Sequence, residues 1–239
     1  MARTLVLLHG FTHTGASWDP VRSELGERYR ALAPDIRGHG SAGDRTPVTL
    51  EAVIADLNAL APARFALAGY SMGGRLALHL ALAEPARVER LALIGASPGI
   101  DDAAEREERR RADERAADEL ERSGIEEFAD RWAQAPVLAG QAAEVREAAR
   151  ADRLRSTPAG LARALRGLGT GALPSLWDRL PELAAPTVLV VGERDHKFGQ
   201  IAEEMRTRLP DASVEVVPGA GHAVHLEDPV RVAAILAAQ

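Results

Sequence analysis

Six short apolar runs punctuate the chain, and each ends in a break. Thr4–Leu8 stops at His9-Gly10, Tyr29–Asp35 at "RGHGS", Arg64–Ser71 at a Gly-rich turn, and Val88–Ala96 at Ser97-Pro98-Gly99. Late in the chain come Pro186–Asp195 and Ser213–His222. Between them the apolar spacing changes to that of amphipathic helices: Trp18–Arg28, Leu50–Leu60, Gly73–Ala83, a stretch near Ile201–Leu209, and a last one from Pro229. Unbroken apolar runs separated by helices predict βαβ units. The fold class expected is therefore α/β, a mostly parallel central sheet, buried on both faces and flanked by helices.

The alternation lapses in the middle. From Asp101 to about Gly171 there is no strand-like run, and "DDAAEREERRRADERAADELERSG" is charged, Ala-rich and helical in type. Most of these charges read as a solvated face laced with i,i+4 pairs. A helical block inserted between two parallel strands sits above the sheet's C-terminal edge, where open α/β sheets bind ligands. The expected organisation is a core of residues 1–100 and 172–239 with a helical cap, or lid, at 101–171.

Composition narrows the function classes. The net charge of −6, with no basic run free of acids, argues against nucleic acid or an anionic membrane as partner. The chain has no cysteine, which removes disulfides, thiolate catalysis and cysteine-based metal sites. "MARTLVLLHGF" lacks the length and cleavage site of a signal peptide. No apolar stretch approaches the ~20 residues of a membrane span. The expectation is a cytoplasmic protein.

The turn after Arg64–Ser71 carries the chemistry. Gly69-Tyr70-Ser71-Met72-Gly73 fits G-x-S-x-G between a strand and a helix. A sharp strand-to-helix turn strains the serine backbone, needs small neighbours, and exposes the hydroxyl at a helix N-terminus. A serine needs a histidine to become a base or nucleophile. His222, in "PGAGHAVHLEDP" past the last strand, is preferred to nearby His225 because of the glycines before it; His79 lies within the helix after the serine. The histidine needs a carboxylate. Asp195, at another strand end, suits this better than Glu193. An oxyanion hole would use the backbone N–H groups of Met72 and Phe11, and His9 would hold the loop by a structural hydrogen bond. Arg75 follows the serine by one helical turn, close enough to reach the space above it. A fixed guanidinium there suits a carboxylate-bearing substrate.

Together "LLHGF", "DIRGHGS", "GYSMGG", "VGERD" and "GAGHAVHLEDP" resemble the α/β-hydrolase fold family along the whole chain, whose triad order is Ser…Asp…His. Arg37 stands where that family more often has proline. More narrowly, "GYSMGGRLAL", "VGERDHKF" and "GAGHAVHLEDP" resemble the 2-succinyl-6-hydroxy-2,4-cyclohexadiene-1-carboxylate synthases of menaquinone biosynthesis. That resemblance implies substrate binding by Arg75, by Arg109 or its neighbour Arg110, by Arg155, and by Tyr70 and Trp132. It implies a lyase that removes a proton and eliminates pyruvate from a small anionic polycarboxylate, without a cofactor. The alternative is a carboxylic ester hydrolase using the same triad; a non-catalytic binding protein is disfavoured because no triad member is missing.

Overall fold

A computed structural model describes residues 3–238; residues 1, 2 and 239, the outermost of the expected core, lie outside the described residues. Six strands form one sheet in the order β2-β1-β3-β4-β5-β6. They are β1 (Arg3–Leu8), β2 (Tyr29–Leu32), β3 (Phe65–Tyr70), β4 (Val88–Ile94), β5 (Thr187–Gly192) and β6 (Ala212–Val217). Every neighbouring pair is parallel. The α/β reading holds, with shorter outer strands than the apolar runs suggest: the second ends at Leu32 and the last at Val217. Beyond Val217 the chain turns into the loop that carries His222.

Side-chain alternation divides the core in two. Val6 and Leu8, Phe65 and Leu67, Leu91 and Leu93, and Leu189 and Val191 face one cluster. It is covered by α2 (Leu50–Leu60), α3 (Met72–Ala83) and α8 (His196–Arg208). Leu5 and Leu7, Ala68 and Tyr70, Ala92 and Ile94, and Val188 and Val190 face the other. There α1 (Asp19–Leu25) and α10 (Pro229–Ala238) pack. Period-2 alternation with apolar residues on both faces is what a doubly covered parallel sheet requires. The helix expected over Trp18–Arg28 is shorter, flanked by 3₁₀ turns at Gly15–Trp18 and Gly26–Arg28. Conversely α8 begins at His196, ahead of Ile201, because Asp195 caps it. A short α9 (Val224–Glu227) and a 3₁₀ segment, Trp177–Glu182, carried no clear periodic signal.

Between β4 and β5 run α4 (Ala103–Ser123), α5 (Ile125–Trp132), α6 (Ala143–Arg153) and α7 (Pro158–Leu168). They enclose a small core of their own, with Leu120, Phe128, Leu161 and Leu165, against which Phe11 and Trp132 pack. Arg166 on α7 is held by Glu114, Asp118 and Glu121 on α4. Among the described residues no helix is long and apolar enough to cross a membrane.

Candidate active site

The chain leaves β1 toward β2 on one side, while β3 begins on the other, so β1 and β3 flank the topological switch point of the sheet. Ser71 lies at the end of β3, with φ 52° and ψ −111°, a left-handed conformation that a serine adopts only under constraint. The glycines around it are there for close approach. A Cβ on Gly69 would meet the carbonyl O of Gly73 at 2.3 Å, and one on Gly73 the carbonyl O of Leu8 at 2.2 Å. The turn is closed by Ser71 N–H donating to Ile94 O at 2.9 Å.

His222 reaches Ser71 from the loop after β6. Its Nδ1 is 2.6 Å from Asp195 Oδ2, and its Nε2 is 3.3 Å from Ser71 Oγ. Asp195 and His222 are both buried, and Phe198 lies against the imidazole at 4.5 Å between ring centroids. The serine contact is long for a hydrogen bond, as such contacts often are before a substrate tightens them. Glu193 is exposed and instead accepts from Gly219 N–H. His225 is fully buried, 4.2 Å from the Tyr70 ring and 4.7 Å from that of Trp18, with neither nitrogen hydrogen-bonded. His79 is a packed residue on α3.

The β1–α1 loop lies across the switch point. His9 fixes it: Nδ1 donates to Gly10 O and Nε2 accepts from Ile36 N–H, each at 2.9 Å. This uses a neutral imidazole, consistent with burial pushing His9 down to about 4. Gly10 allows Tyr70 to pack, since a Cβ there would come within 2.7 Å of its ring. Met72 is the first residue of α3, so its N–H has no acceptor within the helix. Phe11, the other expected donor, lines the same cavity as Ser71.

That cavity measures about 1300 Å³ and runs from the sheet edge to α4–α7. Arg75, Arg109, Tyr70 and Trp132 all line it. Arg75 is buried, with Nη2 donating to Leu168 O at 3.2 Å and Nε without a partner. Burial, and then nearby Arg109, lower it to about 10, so it stays charged at neutral pH. Arg109 pairs with Asp113 at 2.8 Å and faces the cavity, whereas Arg110 pairs with Glu107 on the exposed side. Tyr70 is buried, which pushes its phenol up, and Trp132 packs against Phe11 at 5.2 Å.

Arg155 is a correction. It is exposed and borders a separate, smaller cavity of about 260 Å³. The arginine of this segment that lines the Ser71 cavity is Arg153, two residues earlier and 1% exposed, with Nε donating to Thr12 Oγ1 at 3.2 Å and Nη1 buried without a partner among the described residues. Arg153, the last residue of α6, shares a buried face with Ala149 four residues before it, whereas Arg155 lies past the helix end in the turn that follows, on the exposed side. Also unforeseen are His13, Thr12 (φ 72°) and Asp152, which join the β1–α1 loop to the end of α6. His13 had only its place beside "HGF" as a signal.

Burial of the histidines has a consequence for stability. His9 and His79 are lowered to about 4 and His39 to about 3, each first by burial. An unfolded chain protonates imidazole near 6.5. As pH falls from 6.5 toward 4 the unfolded state therefore binds more protons, and the folded state loses about 1.4 kcal/mol per group for each pH unit. Urea unfolding should show stability undiminished by these groups above pH 6.5 and several kcal/mol lower by pH 4.5. A flat profile over that window would show that these imidazoles take up protons inside the fold.

Residues 5–235 match the Alpha/beta hydrolase family. A protein of Bacillus subtilis (strain 168), provisionally named 2-succinyl-6-hydroxy-2,4-cyclohexadiene-1-carboxylate synthase, is 39% identical over 95% of this chain and 86% of its own length. The 2-succinyl-6-hydroxy-2,4-cyclohexadiene-1-carboxylate synthase of Enterobacter sp. (strain 638) is 34% identical over 98% of this chain and 90% of its own. The solved structure of MenH from S. aureus superposes with a TM-score of 0.93 at 32% identity, covering 99% of this chain and 92% of that one.

Proposed function

The chain belongs to the alpha/beta hydrolase family, and from that premise we propose that it performs the reaction for which its relatives are named. It forms 2-succinyl-6-hydroxy-2,4-cyclohexadiene-1-carboxylate by eliminating pyruvate from a cyclohexene that bears succinyl, enolpyruvyl and carboxylate groups. It is a carbon–oxygen lyase of menaquinone biosynthesis on a hydrolase fold.

Ser71, His222 and Asp195 act as the base. His222 draws the proton from Ser71 Oγ, and the oxygen takes the ring proton next to the succinyl ketone. Asp195 holds the proton of Nδ1 and stabilises the imidazolium. The electron pair of the broken C–H bond moves into the adjacent ketone, and the charge on its oxygen meets the N–H groups of Phe11 and Met72. The charge then returns through the ring. A second ring double bond forms, the C–O bond to the enolpyruvyl group breaks, and the enolate of pyruvate departs and takes up a proton. Residues 101–171 serve as the cap over this step, contributing Arg109, Trp132 and Arg153, while Arg75 comes from the core.

The observation that carries this reading is Arg75, a buried guanidinium one helical turn from the serine, whose Nε has no partner among the described residues. A site for neutral esters has no use for it, whereas a substrate carboxylate supplies the missing partner. The test is incubation with the succinyl-enolpyruvyl cyclohexene carboxylate while pyruvate is followed, alongside a small neutral ester. Pyruvate release far exceeding ester cleavage is expected. Efficient ester cleavage without pyruvate would reject the lyase in favour of an ester hydrolase.

A further inference from the structure

We propose that His13 is a substrate-binding residue: held by Asp152, it presents a free ring nitrogen that accepts a hydrogen bond from the ring hydroxyl of the substrate. The proposal rests on the function given above.

His13 is 3% exposed and lines the Ser71 cavity. Its Nδ1 is 3.0 Å from Asp152 Oδ2. Asp152 also accepts from the N–H of Thr14 at 2.9 Å and from the Thr14 hydroxyl. Burial raises this carboxyl, but the His13 and Thr14 donors outweigh it and hold it at about 2. An ionised carboxylate only accepts, so the proton lies on Nδ1 of His13. Burial lowers His13 as well, and a neutral imidazole with Nδ1 protonated has a lone pair on Nε2. Among the described residues nothing donates to that nitrogen.

Two imidazoles that line the cavity are thus each held by a carboxylate, His222 by Asp195 and His13 by Asp152, and their rings lie 5.3 Å and 6.2 Å from that of Tyr70. Only the first faces a serine. The second has no hydroxyl of the protein to activate and remains an acceptor. The carboxylates and ketone of the substrate are acceptors too, and cannot pair with it. The hydroxyl, at ring position 6 of the product for which the relatives are named, is the donor that fits. Arg153 lies beside His13 in the same cavity, with a buried, unpartnered Nη1. A guanidinium next to a neutral acceptor reads a carboxylate next to a hydroxyl, and ring positions 1 and 6 carry those groups on adjacent carbons.

The experiment compares kcat/KM for pyruvate release from the substrate and from its analogue without the ring hydroxyl. Wild type should prefer the hydroxyl by roughly 10- to 100-fold, since the analogue leaves a buried acceptor unpaired. His13→Phe keeps a ring against Tyr70 and should bring that ratio close to one. His13→Gln restores an acceptor and should recover part of it. Equal turnover of both compounds by wild type, or an undiminished preference in His13→Phe, overturns the proposal; the wild-type comparison decides it even if His13→Phe does not fold. Absence of pyruvate from both compounds with wild type overturns the function itself and this pairing with it.

Discussion

Ser71→Ala and His222→Ala will each lower kcat for pyruvate release by roughly 10³-fold or more, and the double variant will be scarcely worse than either alone. The non-additivity follows from geometry: Nε2 of His222 has Ser71 Oγ in front of it and nothing else to activate. Without the hydroxyl there is no oxygen to carry the proton, and without the imidazole the hydroxyl has no base. Asp195→Asn should be severe for a different reason. An amide NH₂ facing Nδ1 stabilises the tautomer with its proton on Nε2, which points a donor at Ser71. Asn is also a good helix cap, so α8, whose first turn Asp195 caps, should survive the change. The loss in that variant is then chemical rather than structural, and unaltered thermal unfolding beside lost turnover would establish it. Wild-type-like turnover by a folded Ser71→Ala protein would sink the assignment.

The parts of this molecule legible in its sequence are those fixed by local chemistry. A glycine fence around Ser71 has one good explanation, because each missing Cβ corresponds to a backbone oxygen less than 3 Å away. Apolar runs ending at Leu8, Tyr70, Ile94 and Gly192 announce buried strands, and residues just past strand ends must gather at one edge. Side-chain direction inside the helical insertion is a different matter. Arg153 and Arg155 are equally polar in the sequence, and the phase of α6 sends the first into the cavity while the second falls in the exposed turn beyond the helix end. Val145, Ala149 and Arg153 at intervals of four did hold that phase. His13 was less accessible still. Its role depends on Asp152, far along the chain and on another element, and no local pattern joins the two.

Arg75→Met should cut kcat/KM for the polycarboxylate by roughly 30-fold to several-thousand-fold, which corresponds to about 2–5 kcal/mol for a charge-assisted contact in a desolvated site. Methionine retains much of the volume among the α3 neighbours, so the change removes charge more than packing. The effect on stability should go the other way. Among the described residues Arg75 is a buried cation with one carbonyl, Leu168 O, as its hydrogen-bond acceptor and an unpartnered Nε, and burial already lowers its affinity for its proton. Removing such a charge relieves desolvation, so Tm should be unchanged or raised. Cleavage of a small neutral ester, to whatever extent wild type shows it, should stay nearly constant, because Ser71, His222 and Asp195 are intact. Arg75→Lys should restore only part of the activity, since an ammonium cannot engage two carboxylate oxygens as a planar fork does. A variant that loses polycarboxylate turnover and stability together would mean that Arg75 is a structural residue. A variant that keeps both activities would remove the reason for assigning an anionic substrate to this cavity. Loss of turnover with stability preserved identifies a cation maintained for its ligand at the fold's expense.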